Sequence, residues 1–228
     1  MGLQVGQILW QAARSRPDAC AVVDLGYGPE QRRELSFAQL HRRAVNLACR
    51  LAERGVAVGD RVALVAENSA EVAAAFFGVL YAGASVVPLH VLSAAPELAQ
   101  RIEHAGAKLV LHDAARSGLV RDALTLAPTG VSSLMLSLDV FEADADATPR
   151  AEYPLDMNAD ANALVLYTSG TTGQPKGAAI SHASLLLHTL VLVQQVLQLD
   201  AHSRVLCVLP LSHSYGCRLA LLAPLYAG

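Results

Sequence analysis

Apolar residues recur along the chain at two spacings, and the switches between them outline the elements. Residues 5–14 carry the helical spacing, and after a turn at Pro17 and Asp18, residues 20–23 read as a strand. A polar stretch around 28–34 leads to Ser36, followed three residues later by Gln39, a capping-box pair that predicts a helix start. That helix should run to Glu53. Leu40, Ala44, Leu47, Ala48 and Leu51 fall on one face, Arg42, Arg43 and Arg50 on the wet face, and Gly55 can supply a left-handed stop. Residues 61–66 form the next strand. Asn68 with Glu71 reads as a second capping box, ahead of a helix over 70–81 that Gly83 ends. Residues 86–89 return to strand character, Pro96 suits the first turn of another helix, and Gly106 precedes a short apolar strand over 108–111.

The interval 139–160 collects Asp139, Glu142, Asp144, Asp146, Glu152, Asp156 and Asp160 with Pro149 and Pro154, and reads as a solvated surface linker. It lacks the glycine turn and ligand spacing of a calcium loop. Beyond it, strands are expected over 163–167 and 178–181, then a long apolar helix over 183–199. Strands alternating with helices predict an α/β fold of layered, largely parallel sheets with flanking helices, because parallel neighbours need crossover elements. Near-continuous apolar strands agree with burial on both faces.

Composition then removes whole classes of function. With 53% hydrophobic residues and no charged residue between Glu71 and Glu97, a membrane span has to be considered. Gly78, Gly83 and Pro88 interrupt that run, and its character changes to the β-branched Val86 and Val87, so a buried helix and strand fit better. The net charge of -3 arises from 20 acidic and 17 basic residues without a basic cluster, which argues against a nucleic-acid partner. Cys20, Cys49, Cys207 and Cys217 show no CxxC pairing, and residues 1–10 lack the pattern of a secretory signal. Buried free thiols in a reducing, cytoplasmic setting are the expectation.

The chemistry concentrates in one loop, Thr168-Ser169-Gly170-Thr171-Thr172-Gly173-Gln174-Pro175-Lys176-Gly177. Its glycines permit backbone geometries that aim N–H groups at an anion, and four hydroxyls can donate further hydrogen bonds. Lys176, one of two lysines in the chain, adds a compact positive charge. The same residue types also make an ordinary hydrophilic hairpin. A P-loop is excluded, since Pro-Lys-Gly stands where that motif needs Gly-Lys followed by a hydroxyl residue. Nucleophile-elbow and zinc-protease patterns are absent from the sequence.

Tyr167 through Gly177 resembles the signature loop of the adenylate-forming enzymes, the superfamily of acyl-CoA synthetases, adenylation domains and luciferases. Ser181-His182 is similar to the pair that usually follows that loop, and Leu209-Pro210-Leu211-Ser212-His213-Ser214-Tyr215-Gly216 resembles the next core motif. The resemblance covers essentially the whole of 1–228 and implies a partial amino-terminal AMP-binding domain, with the adenine-contacting motifs and the carboxy-terminal domain lying outside it. It implies ATP-dependent activation of a carboxylic acid to an acyl-adenylate, followed by transfer to a thiol such as coenzyme A, with Mg2+ neutralising the polyphosphate. Thr168, Ser169, Gly170, Thr171, Thr172, Gly173 and Lys176 would hold the triphosphate, Lys176 as the catalytic cation, with His213 and Tyr215 at the acid. Ser212 departs from the aromatic residue common at that position and would alter the margin of the acid pocket. The 228 residues by themselves are expected to be inactive. An amino-acid or aryl-acid adenylation domain and a non-catalytic nucleotide-binding module stay open as alternatives.

Overall fold

The computed structural model describes residues 4–26, 29–127, 130–142, 158–168 and 175–228. The chain opens with α1 (Gln7–Ser15), then β1 (Cys20–Asp24) and β2 (Arg33–Ser36), an antiparallel pair, and α2 (Phe37–Glu53). Next come β3 (Arg61–Val65), α3 (Ala70–Tyr81), β4 (Ser85–Pro88), α4 (Ala95–Ala105), β5 (Leu109–His112), α5 (Ser117–Leu126), β6 (Ser132–Met135) and a short α6 (Leu138–Phe141). After the acidic interval follow β7 (Asn162–Thr168), β8 (Lys176–Ser181) and α7 (His182–Val191), which runs on as a π-helix over Leu192–Leu197. A second π-helical stretch, Gly216–Leu222, leads into α8 (Ala223–Ala227).

Six of these strands form one sheet in the order β6-β5-β3-β4-β7-β8, parallel except for the antiparallel β7–β8 pair. Its strands alternate between two cores, as a side-chain period of two requires. Val62, Leu64, Val86, Leu109 and Leu111 point into the cluster built with α1, α2 and α3, while Ala63, Val65, Val87 and Val110 point into the cluster built with α4 and α5. The layers are therefore helix, sheet, helix, as the alternation of apolar patterns predicts.

Local chemistry explains several boundaries. Ser36 Oγ accepts from the Gln39 amide and Gln39 Oε1 from the Ser36 amide, the reciprocal cap read from the sequence. The start of α3 differs from expectation. Its cap is Ser69, whose Oγ accepts from Val72 N at 3.2 Å, and Glu71 instead receives Arg33 at 2.8 Å and Arg43 at 3.2 Å. Every residue of α3 is buried, which accounts for its largely charge-free sequence. No helix among the described residues is long and apolar enough to cross a membrane.

The expectation of buried thiols holds only for Cys217: Cys20 is exposed, and Cys49 and Cys207 are partly exposed. The expected linker begins inside the fold, where Val140 and Phe141 are buried and Asn46 Nδ2 donates to the Phe141 carbonyl at 2.7 Å. Its residues 143–157 lie outside the described residues.

Candidate functional site

The sheet's connectivity sets where a site can form. From β3 the chain crosses through α3 on one face to β4, and from β4 it crosses through α4 on the other face to β5. Connections leaving adjacent parallel strands toward opposite faces open a crevice at the strands' carboxyl ends, the usual place for ligands in such sheets. β7 runs parallel to β4, so its last residue, Thr168, reaches this same edge.

The candidate phosphate loop joins β7 to β8, whose last register pair is Thr168 with Lys176. Ser169, Gly170, Thr171, Thr172 and Gly173 lie outside the described residues, and of Thr168 the backbone alone is described. Lys176 is exposed, with no ion-pair partner among the described residues, so its charge is available to an anion. Tyr167 packs toward α4 beside the hairpin, and burial pushes its phenol above the ordinary value against the opposing effect of Arg101.

The second motif occupies the carboxyl ends of β3 and β4. Leu211 and Ser212 close a cavity of about 10 Å³ with Leu64, Ala66, Val72, Phe76, Pro88 and Leu221. Ser212 thus faces this apolar sheet-edge cavity, which His213 and Tyr215 do not line. Asn68, which the sequence pattern assigns to a helix cap, holds the motif instead. Its Nδ2 donates to the Leu209 carbonyl at 2.8 Å and its Oδ1 accepts from Leu211 N at 2.8 Å, clasping the backbone on both sides of Pro210. The signal that could have found it is the Asn68-Ser69 pair: with two cap-competent residues in succession, one is free for another task.

His213 N then donates to the Pro210 carbonyl at 2.9 Å and Cys217 N to the His213 carbonyl at 2.9 Å, turning the chain into the π-helical stretch. Single π turns are frequent at functional sites. His213 and Tyr215 are both exposed, and their rings stack with centroids 6.4 Å apart at 23°. The pair offers an open aromatic surface with an imidazole edge. Burial pushes the Cys217 thiol up to about 12 and raises Cys207 as well, so neither is set up as a nucleophile.

α7 connects the two motifs, packing against β7, β8 and the Gly216–Leu222 stretch. Ser181 caps it, its Oγ accepting from Ser184 N at 3.2 Å. His182 is fully buried: its Nδ1 accepts from Val5 N at 3.3 Å, Nε2 has no partner among the described residues, and burial pushes the imidazole down to about 4. It is neutral near pH 7 and is a structural anchor, not an anion ligand. No three His, Cys, Asp or Glu side chains among the described residues gather into a metal site.

Comparison with known proteins places this arrangement. The sequence matches the AMP-binding enzyme family over residues 9–228. It is 32% identical over 183 residues to the long-chain-fatty-acid–CoA ligase FadD13 of Mycobacterium tuberculosis, covering 79% of this chain and 35% of that protein. It is 35% identical over 204 residues to a linear gramicidin synthase of Brevibacillus parabrevis, covering 90% of this chain and 2% of that protein. The inhibitor-bound N-terminal domain of FACL13 from Mycobacterium tuberculosis superposes with a TM-score of 0.86 at 28% identity, over 99% of this chain and 55% of that one. The chain thus spans about a third of the FadD13 ligase. With the fold, the sheet-edge motifs and these matches in agreement, the chain belongs to the AMP-binding enzyme family.

Proposed function

We propose that the chain carries the triphosphate-binding part of an AMP-forming acid–thiol ligase. The observation that carries this reading is the placement of the loop's two ends, Thr168 at the carboxyl edge of the parallel strands and Lys176 exposed opposite it. In the first step a carboxylate oxygen of the acid attacks the α-phosphorus of ATP, and the bond to the β-phosphate oxygen breaks to release pyrophosphate. Charge builds on the departing pyrophosphate, where Lys176 and the loop's hydroxyl and amide donors stabilise it. In the second step a thiol, coenzyme A in this reading, attacks the acyl carbonyl and AMP leaves.

His213 and Tyr215 would meet the acid, the open stacked rings suiting an apolar or aromatic carboxylic acid. A magnesium ion bound with the triphosphate would neutralise part of its charge, and the oxygen donors of ATP and the loop hydroxyls fit its preference for oxygen ligands. The 35% identity to the gramicidin synthase supports a second reading, an amino-acid adenylation domain acting on a carrier thiol. We also propose that the 228 residues by themselves turn over neither step, since they match only 35% of the FadD13 ligase.

The test is product analysis on the protein expressed from its native locus, incubated with ATP, Mg2+, coenzyme A and separate panels of fatty, aryl and amino acids. An acyl-CoA thioester formed together with AMP and pyrophosphate is the expected result. Adenylate formed from an amino acid without transfer to coenzyme A would favour the second reading, and ADP with inorganic phosphate would contradict both.

A further inference from the structure

Tyr167 stands one residue before Thr168, on the side of β7 that faces α4. Its phenolic oxygen lies 2.8 Å from His104 Nδ1 and donates to the Arg101 carbonyl at 3.3 Å. A phenol has one proton. With that proton donated to the Arg101 carbonyl, the oxygen accepts from His104 in the tautomer that carries its hydrogen on Nδ1, so both contacts are satisfied at once. The imidazole meets the ring edge-on, centroids 5.7 Å apart at 74°, and the Arg101 guanidinium carbon lies 5.9 Å from the ring centroid. Arg101 is itself tied down by Ser93 Oγ at 3.1 Å and by Glu97.

The hairpin is shaped to accept this ring. Tyr167 is in register with Gly177, and a β-carbon at 177 would lie 3.3 Å from Tyr167 Cζ and 3.1 Å from Val165 Cγ1. Such contacts are tighter than ordinary packing, so any larger residue at 177 would press on the ring and on Val165. The ring is thus held by α4 while it lies across β8, and the next register pair outward is Thr168 with Lys176.

We propose that Tyr167 is a positioning residue: gripped by His104 and Arg101, its ring fixes the loop end of the β7–β8 hairpin and so sets Lys176 for the triphosphate. The proposal rests on the reading of Lys176 as a triphosphate ligand. None of the three residues needs to touch a reacting atom. Their effect falls on ATP and not on the acid, whose site lies on the His213 side.

Two measurements on the protein expressed from its native locus test it, using Tyr167→Phe, His104→Ala, His104→Gln and the double variant Tyr167→Phe/His104→Ala. In acid-dependent ATP–pyrophosphate exchange, Tyr167→Phe and His104→Ala should each raise the KM for ATP roughly three- to tenfold, leaving the KM for the acid within about twofold. The double variant should be no worse than Tyr167→Phe, which already removes the bond to His104 together with the one to the Arg101 carbonyl. His104→Gln, which can keep a donor near the phenol, should stay near wild type. By hydrogen exchange, amides of 162–168 and 176–181 should exchange faster in Tyr167→Phe while those of α2 do not change. Equal shifts in both KM values, or unchanged hairpin exchange, would overturn the proposal. If the wild type shows no acid-dependent exchange, the triphosphate reading falls, and hydrogen exchange still decides whether Tyr167 anchors the hairpin.

Discussion

Gly216 has no room for a β-carbon: one built there would lie 2.1 Å from the Pro210 carbonyl oxygen and 2.9 Å from that of Leu209. The motif's glycine is therefore set by backbone approaching backbone, which cannot be relieved by turning a side chain. Gly216→Ala should destabilise the protein by about 2–4 kcal/mol, read from the denaturant midpoint at constant slope. A change under about 0.5 kcal/mol, the range of an ordinary surface substitution, would mean the turn is drawn wrongly. Asn68 holds the other side of the same turn through a donor and an acceptor. Since water can reach the amide and replace part of its bonding, Asn68→Ala should cost only about 1 kcal/mol. Its larger effect should be a raised KM for the acid, because the backbone leading to His213 loses its clasp; an unchanged KM would separate Asn68 from the site.

Among the elements, α7 depends on a histidine that burial keeps neutral. His182 is held at about 4 in the folded protein against 6.5 as the ordinary value, so below pH 6.5 the unfolded chain binds the extra proton first. Stability from this group is therefore complete above about pH 6.5 and is lost as pH falls toward 4, by up to about 3 kcal/mol. His182→Gln should flatten that part of the stability-against-pH curve; an equally steep curve would place the loss in other groups. Much of the element plan is legible in the sequence wherever a cap and an apolar face coincide, as at Ser36, Gln39 and the 37–53 helix. β2 escapes such a reading because three of its four residues are partly or fully exposed and charged or polar, leaving Leu35 as its only buried apolar position. The helix expected over 183–199 begins as predicted but changes to π-helical winding at Leu192 and stops at Gln198, whose φ is 50°. Apolar spacing alone does not distinguish that winding from an α-helix, and Gln is an uncommon left-handed stop. At the candidate site, the loop and the His213 motif are legible from residue type. The Asn68 clasp and the grip on Tyr167 are not, since each joins residues 63 or more positions apart.

At the scale of the whole molecule, Thr168, where the first motif leaves β7, and the 209–216 motif share the carboxyl edge of the parallel strands, brought there by β7 running beside β4 and by the return of 209–216 onto β3 and β4. Apolar side chains remain open nearby, with Leu206 and Val208 each 74% exposed, and β8 is an edge strand of the described sheet. We propose that this edge handles ATP as an adenylate-forming ligase does, with Lys176 on the departing pyrophosphate. Acid-dependent exchange of labelled pyrophosphate into ATP tests it most directly, run on the protein from its native locus beside its Lys176→Ala variant. Exchange should require a carboxylic acid and fall roughly 10²-fold in Lys176→Ala. Exchange that ignores the acid, or that survives Lys176→Ala undiminished, would contradict it.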